Sequence, residues 1–359
     1  MSDTILPGSG FDTYEEQDKV LVGMSGGVDS SVAVRILQQQ GFAVTGAVIR
    51  FSPAHAAAVD AAQKAAEQLG IECIVLDAEE LFEREVIAPF CADYCAGRTP
   101  NPCVRCNPAV KFTALLAAAD RLGIQYIATG HYARVEVDGD GVSRIHLPAS
   151  AARDQSYMLS RLDQDVLSRL VLPLGEFDKE DVRQMARDFG LACADAPDSM
   201  EICFIPDGDY AAYIEARGCA GKAGRFISPD GADLGPHKGV LHYTVGQRKG
   251  LGIALGEPVF IREICENGDI RLARAGEEYF TRVAVAGVVT PDGAPLPAGE
   301  YLVKVRSAAP AQPARLTPVG EDEALLTFAE PVRAPAPGQT AAFYCGGALM
   351  GGGFITRAE

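Results

Sequence analysis

The chain has 359 residues, room for two or three domains, with 48% hydrophobic and 22% charged residues, a balance ordinary for a soluble globular protein. Its net charge of −16 on its own argues against a nucleic-acid partner. The charge is uneven, however: residues 98–113 hold Arg98, Arg105 and Lys111 with no acid, and residues 222–262 hold six basic against three acidic residues. No apolar run reaches the roughly 18 residues that span a bilayer. The opening MSDTILPGSGFDTYEEQDK lacks the basic and apolar regions of an export signal. A cytoplasmic protein without a membrane partner is expected, its ten cysteines reduced, catalytic or metal-binding rather than a disulfide framework.

After an expected flexible tail over 1–18, KVLVGM reads as a buried strand and SSVAVRILQQQ as a helix. FAVTGAVIR and IECIVLD are strand-like, with the helical AAAVDAAQKAAEQLG between them. A long helical stretch, a Pro-rich loop at 97–108, the helix KFTALLAAADRLG and the strand YIATGHYARVEV follow. DQSYMLSRLDQDVLSRL and DKEDVRQMARDFG read as two closing helices. This alternation predicts an α/β domain with a doubly wound, mainly parallel sheet over 19–205. Beyond it, Gly and Pro become frequent and helical periodicity fades. Short strand-like segments predict two small β domains, 206–283 and 284–359, the last barrel-like.

The stretch SGGVDSS, straight after the first strand, has the makings of a phosphate cradle. Its glycines let successive N–H groups converge on an anion, and the following helix N-terminus favours phosphate. A capped strand–turn–helix is the plain alternative. Asp29 is an odd neighbour for phosphate unless it coordinates Mg²⁺ or accepts a backbone bond. The loop also lacks the lysine with which a Walker loop serves γ-phosphoryl transfer. A lysine-free loop suits an enzyme that transfers AMP and releases pyrophosphate.

Cys103 and Cys106 form a CxxC pair in GRTPNPCVRCNPAVKF, and Cys203 lies far away in DSMEICFIPDGDY. A zinc half-site is the plain reading of the pair, but no second CxxC or His pair has the spacing to complete it. Core packing is the plain reading of Cys203. Cys73, Cys193, Cys265 and Cys345 sit among apolar neighbours and read as small hydrophobes.

Taken in chain order, GMSGGVDSSV, GRTPNPCVRCN with VKF, ATGHYAR, DQSYMLS, EICFI, GVLHYTVGQRKGLGI and APGQTAAFY resemble the motifs of the tRNA-specific 2-thiouridylases. These belong to the PP-loop, or N-type ATP pyrophosphatase, superfamily. The resemblance implies ATP- and Mg²⁺-dependent replacement of oxygen by sulfur at C2 of the wobble uridine of tRNA. It implies nucleotide contacts from Gly23, Met24, Ser25, Gly26, Gly27, Val28, Asp29, Ser30, Ile49 and Gly130. Asn101, Pro102 and Cys103 would surround the target base. His131, Arg153, Asp154, Gln155, Arg306, Ser307 and Gln339 would touch tRNA of the Lys, Glu and Gln types. Cys203 would carry sulfur as a persulfide from a cysteine desulfurase or relay protein. Cys106 would be its nucleophilic partner, leaving a Cys106–Cys203 disulfide to be reduced.

Departures from the family pattern leave the catalytic groups intact. Arg153 stands where lysine is common, and Ser307 replaces a usual tyrosine, which puts that contact in doubt. IRFSPAHAAAVDAA lacks the tryptophan and acids common there. Three alternatives stay open. One is thiolation through a [4Fe-4S] cluster on Cys103, Cys106 and Cys203. The others are an amide-forming PP-loop synthetase for a small substrate, and a tRNA-binding scaffold with a decayed loop.

Overall fold

The computed structural model describes residues 18–197, 202–205 and 207–359. Most of the expected tail, and Asp198 to Glu201 of the Cys203 motif, lie outside the described residues. The chain divides into two compact units. The first holds residues 18–83 and 105–197 with Gly346–Leu349; the second holds Arg84–Val104 and the described residues from 202 to Cys345, with Met350–Glu359.

The first unit is built on a parallel sheet. Its strands are β1 (Lys19–Met24), β2 (Ala43–Arg50), β3 (Cys73–Asp77), β4 (Tyr126–Thr129) and the short Leu170–Val171, in the order β3-β2-β1-β4 and then Leu170–Val171. Every neighbouring pair is parallel. Central strands of such sheets are covered on both faces, so they read as unbroken apolar runs. Accordingly Val20, Leu21 and Val22 are all wholly buried, each contributing about 1.5–3 kcal/mol. Helices α1 (Val28–Gln39) and α2 (Ala56–Leu69) pack here through Val32, Ala33, Ile36, Leu37, Ala62, Ala66 and Leu69. The helix Lys179–Asp188 joins the same core through Val182 and Ala186.

The order of the strands decides where a ligand goes. The chain leaves β1 for β2 and β3 on one side, then returns to place β4 on the other. The crevice at the carboxyl ends of β1 and β4 is therefore the topological switch point, where open α/β sheets bind ligands.

Three local expectations fail. DQSYMLSRLDQDVLSRL is not one helix: it forms a 3-10 turn, Ser156–Leu159, and a single helical turn, Gln164–Leu167. Asp163 starts that turn by accepting a bond from the Val166 N–H at 3.3 Å. YIATGHYARVEV is broken after β4 at Gly130, and Arg134–Val137 pairs instead with Ser143–His146 in an antiparallel hairpin. The Pro-rich loop is partly helical. Pro102 opens the short helix Pro102–Cys106, where its missing N–H costs nothing. A π-helical turn, Asn107–Phe112, continues it into Thr113–Leu122.

The second unit contains two sheets. Val259–Ile264, Ile270–Arg274, Arg225–Ile227 and Asp233–Pro236 form a four-stranded sheet in that order. Residues 239–247 do not join it; Val240–His242 is a 3-10 turn. The last six strands run Tyr279–Val289, Gly299–Lys304, Gln312–Pro318, Ala324–Arg333, Thr340–Cys345 and Ala348–Ala358. Pairing of Tyr279–Val289 with both Ala324–Arg333 and Ala348–Ala358 closes them into a barrel, which removes the exposed strand edges. Among the described residues, no helix is long and apolar enough to cross a membrane.

The same unit holds a covalent link, Cys95–Cys219, with Cα atoms 6.4 Å apart. The sequence reading, which takes the cysteines as reduced, catalytic or metal-binding rather than a disulfide framework, does not single out this pair. Cys95 ends the helix Ala88–Cys95, and Cys219 follows the helix Tyr210–Ala216. Packing of the Tyr94 and Tyr210 rings, 4.5 Å between centroids, brings those helices together. Peptide mapping of protein purified without reductant should recover Cys95 and Cys219 in one cross-linked species. Replacing both by serine should lower unfolding stability by about 2–4 kcal/mol; recovery of both as free thiols would overturn the assignment.

Candidate active site

The phosphate cradle occupies the switch point. It begins at Gly23 and Met24, the end of β1, and ends at Val28, Asp29 and Ser30, the first residues of α1. Gly26 has φ +76°, and a Cβ there would lie 2.6 Å from the Ala61 backbone. Only glycine lets the loop turn so close to α2. Gly27 is the extended N-cap of α1. The Ser25 N–H donates to the Ser30 hydroxyl at 3.2 Å, and the Ser31 hydroxyl donates to the Gly27 carbonyl at 2.9 Å. The loop is thus tied to the first turn of the helix, whose N–H groups and dipole favour an anion.

The facing wall comes from the end of β4. A Cβ on Gly130 would sit 2.8 Å from the Asp29 carbonyl carbon and 2.9 Å from the Ser30 nitrogen, so β4 closes on the cradle only with glycine there. Ile49 lies at the end of β2, one residue beyond Val48, which pairs with Met24, and it is buried. The expected nucleotide residues are therefore assembled in one unit around the ends of three adjacent strands.

Asp29 is held by two side chains. Lys179 Nζ donates to its two carboxylate oxygens at 2.7 and 2.8 Å, and the Tyr132 hydroxyl donates to Oδ1 at 2.7 Å. It accepts from two side chains rather than from backbone. Lys179 was not singled out in the sequence, yet a signal was present. It stands at the first position of its helix, after the capping Asp178, where the helix dipole disfavours a cation.

A line of contacts links the cradle to the CxxC pair within the first unit. Tyr132 exchanges backbone and side-chain bonds with Gln155: its N–H donates to Gln155 Oε1 at 2.9 Å, and its carbonyl accepts from the Gln155 N–H at 3.0 Å. The Met158 N–H donates to the Gln155 carbonyl at 3.0 Å, and the Met158 carbonyl accepts from Asn107 Nδ2 at 2.8 Å. Asn107 follows Cys106 directly. Gln155 thus braces Tyr132. Asp154 Oδ1 accepts from the N–H and hydroxyl of Ser156, while Arg153 is exposed.

His131 sits between Thr129 and Lys111, with Nδ1 2.7 Å from the Thr129 hydroxyl and Nε2 3.5 Å from Lys111 Nζ. Burial, then the adjacent ammonium, pushes its pKa well below the ordinary imidazole value. It is a neutral hydrogen-bonding group, not a charge for phosphate.

On the second unit, Asn101 Oδ1 accepts from the Cys103 N–H at 3.1 Å, fixing the start of the short helix. Cys103 is exposed there and Cys106, one turn on, is buried. Gln339 Nε2 donates to the Thr99 carbonyl at 2.8 Å, and the Thr99 N–H donates to the Pro337 carbonyl at 2.8 Å. Gln339 therefore anchors the segment that carries Asn101, Pro102 and Cys103. Arg306 donates to the carbonyls of Val245 and Ala334 at 2.7 and 2.8 Å, a bracing role the sequence did not suggest. Ser307 lies beside it in the turn after Gly299–Lys304. Cys203 is exposed in a turn of the second unit. Cys106 belongs to the first unit, so the meeting of these two thiols is a matter of proposal. Among the described residues, no three His, Cys, Asp or Glu side chains gather as metal ligands.

A parallel sheet with a lysine-free anion cradle at its switch point defines an α/β nucleotide-binding protein of the PP-loop type. Comparison with known proteins narrows the class. Residues 18–207 match a family model described as a tRNA methyl transferase HUP domain. Residues 214–270 match a tRNA methyl transferase PRC-barrel domain, and 292–355 an aminomethyltransferase beta-barrel domain. The tRNA-specific 2-thiouridylase MnmA of Carboxydothermus hydrogenoformans is 43% identical over 94% of this chain and 98% of that protein. Those of Acetivibrio thermocellus and Lachnoclostridium phytofermentans are 41% and 39% identical, each over 94% of this chain and 99% of the relative. The chain belongs to the tRNA-specific 2-thiouridylase family.

Two outcomes are expected. Gly130→Ala should weaken ATP binding by about tenfold or more, read by calorimetric titration, because its Cβ would displace the start of α1; unchanged affinity would refute the geometry. Imidazole nitrogen NMR should find His131 neutral at about pH 6, and Lys111→Met should raise its pKa toward about 6.5. Because the folded pKa lies below the unfolded one, the unfolded chain takes up the proton first. Stability owed to neutral His131 is complete above about pH 6.5 and declines as pH falls below it.

Proposed function

We propose that the protein is an ATP-dependent tRNA sulfurtransferase that makes 2-thiouridine at the wobble position. The observation that carries this reading is the presence, in one unit, of a lysine-free cradle and Cys106 joined by the Asp29–Tyr132–Gln155–Met158–Asn107 line of contacts. Uridine O2 is a poor leaving group. Attack of O2 on the α-phosphorus of ATP expels pyrophosphate and turns that oxygen into part of AMP. The backbone N–H groups of the loop suit pyrophosphate as the departing group, since they neutralise charge without passing on a γ-phosphoryl group.

Sulfur then arrives as a soft nucleophile. The terminal sulfur of a Cys203 persulfide attacks C2, and AMP leaves with the oxygen. The Cys106 thiolate attacks Cys203 Sγ and expels the thiocarbonyl of 2-thiouridine, leaving a Cys106–Cys203 disulfide. A dithiol reductant returns both thiols. Exposure of Cys203 suits loading by a cysteine desulfurase or relay protein. In this reading Asn101, Pro102 and Cys103 surround the base, and His131, Arg153, Asp154, Gln155, Arg306, Ser307 and Gln339 contact tRNA. tRNAs of the Lys, Glu and Gln types are the proposed substrates, and Mg²⁺ accompanies ATP. Neither the cluster mechanism nor the amide-forming synthetase gains support from a particular feature of the fold.

The test is incubation of the full chain with ATP, Mg²⁺, desulfurase, cysteine and unmodified tRNA, followed by nucleoside analysis. Wild type should yield 2-thiouridine with AMP. Cys203→Ser and Cys106→Ser should each lower the yield by about a hundredfold or more, the scale of losing a covalent group. A Cys203→Ser variant of full activity, or activity that tracks bound iron, would overturn the persulfide route.

A further inference from the structure

We infer that Lys179 is a positioning residue for the nucleotide: it cancels the charge of Asp29 and so makes the cradle able to accept a polyphosphate. This rests on the reading of the cradle as an ATP site. Asp29 lies in the first turn of α1, among the N–H groups that would meet the anion. A bare carboxylate there would repel phosphate through a partly dehydrated medium. Lys179 answers it from a different element. Its side chain is only 4% exposed, and its ammonium spans both Asp29 oxygens.

Placement of Lys179 fits this role. At the start of its own helix the ammonium opposes the dipole, so the helix gains nothing from it locally. A buried ammonium is costly without a counter-charge, and Asp29 supplies one. Tyr132 fixes Oδ1 from a third direction, with its ring centroid 5.9 Å from Lys179 Nζ. The cation missing from the loop sequence is thus provided about 150 residues downstream, aimed at the loop's carboxylate.

The charge argument separates this role from simple packing. Lys179→Met keeps the volume and removes the ammonium, leaving Asp29 unbalanced. Calorimetric titration of the full-length variant with Mg²⁺-ATP should show affinity about tenfold weaker or worse, and KM for ATP in the thiolation assay should rise more than kcat falls. The double variant Asp29→Asn with Lys179→Met restores neutrality and should return affinity to within about threefold of wild type. Wild-type affinity in Lys179→Met, or a double variant as weak as the single, would overturn the inference. If Lys179→Met does not fold, the charge-neutral double variant decides: magnesium-dependent ATP binding within about threefold of wild type supports charge cancellation, and its loss would make the carboxylate a metal ligand or the ammonium a phosphate contact instead. Failure of wild type itself to bind ATP would strike at the functional reading, not at the role of Lys179.

Discussion

Holding polyphosphate on backbone amides demands that nothing crowd the amides and that no bare negative charge face them. The rest of the first unit follows from this demand. Gly26 lets the loop pass α2, Gly130 lets β4 close against Asp29 and Ser30, and Lys179 answers the carboxylate. Each comes from a different part of the chain, and each acts at the end of β1. The doubly wound strand order matters because it brings β4 beside β1 and opens the crevice between them.

Rigidity of the cradle is passed on rather than kept local. Tyr132 has its hydroxyl on Asp29 and its backbone on Gln155. The next links reach Met158 and Asn107, beside the buried Cys106. A reacting group must be held to within about an ångström of its target to be effective. Hydrogen bonds between fixed backbone groups give that precision more surely than a loop packed by apolar contact. The π-helical turn after Cys106 is part of the same arrangement, since Thr113 donates to the Pro108 carbonyl at 2.8 Å and ties the turn to the next helix. On the second unit Gln339 plays the matching part, fixing the approach to Asn101 through Thr99.

Local signals made the sheet legible. Unbroken apolar runs bounded by glycine identified β1 to β3, and the Gly-rich turn located the cradle before any tertiary contact was known. Segment 155–170 was less legible. Its apolar spacing suits a helix, but Tyr157 and Leu159 are buried by tertiary packing in a 3-10 turn, and long-range packing overrides propensity. The CxxC pair read as loop because prolines flank it, although proline at a helix start is compatible with helix. The role of Asp29 was hidden for another reason. Its partner is distant in sequence, and no period or spacing encodes an ion pair between elements. Only the misplaced charge at the start of the Lys179 helix pointed to it. Arg306 and Gln339 could be identified by resemblance, but their bracing bonds could not.

The acidity of the protein limits how RNA can be recognised. A net charge of −16 gives no general attraction to phosphate, so affinity must come from few, well-placed groups. Several basic residues of the Gly-rich region are engaged by acids: Arg225 with Asp233, and Arg274 with Asp230 and Glu257. Arg98 is paired with Asp93, and Arg306 is turned onto carbonyls. Arg248 and Lys249, in the turn that Gln247 fixes through Thr244 and the Lys249 carbonyl, are exposed. Such a surface discriminates by shape and hydrogen bonding more than by electrostatic pull. That suits an enzyme whose substrate is one base in a folded RNA, because nonspecific binding to other RNA gains little from it.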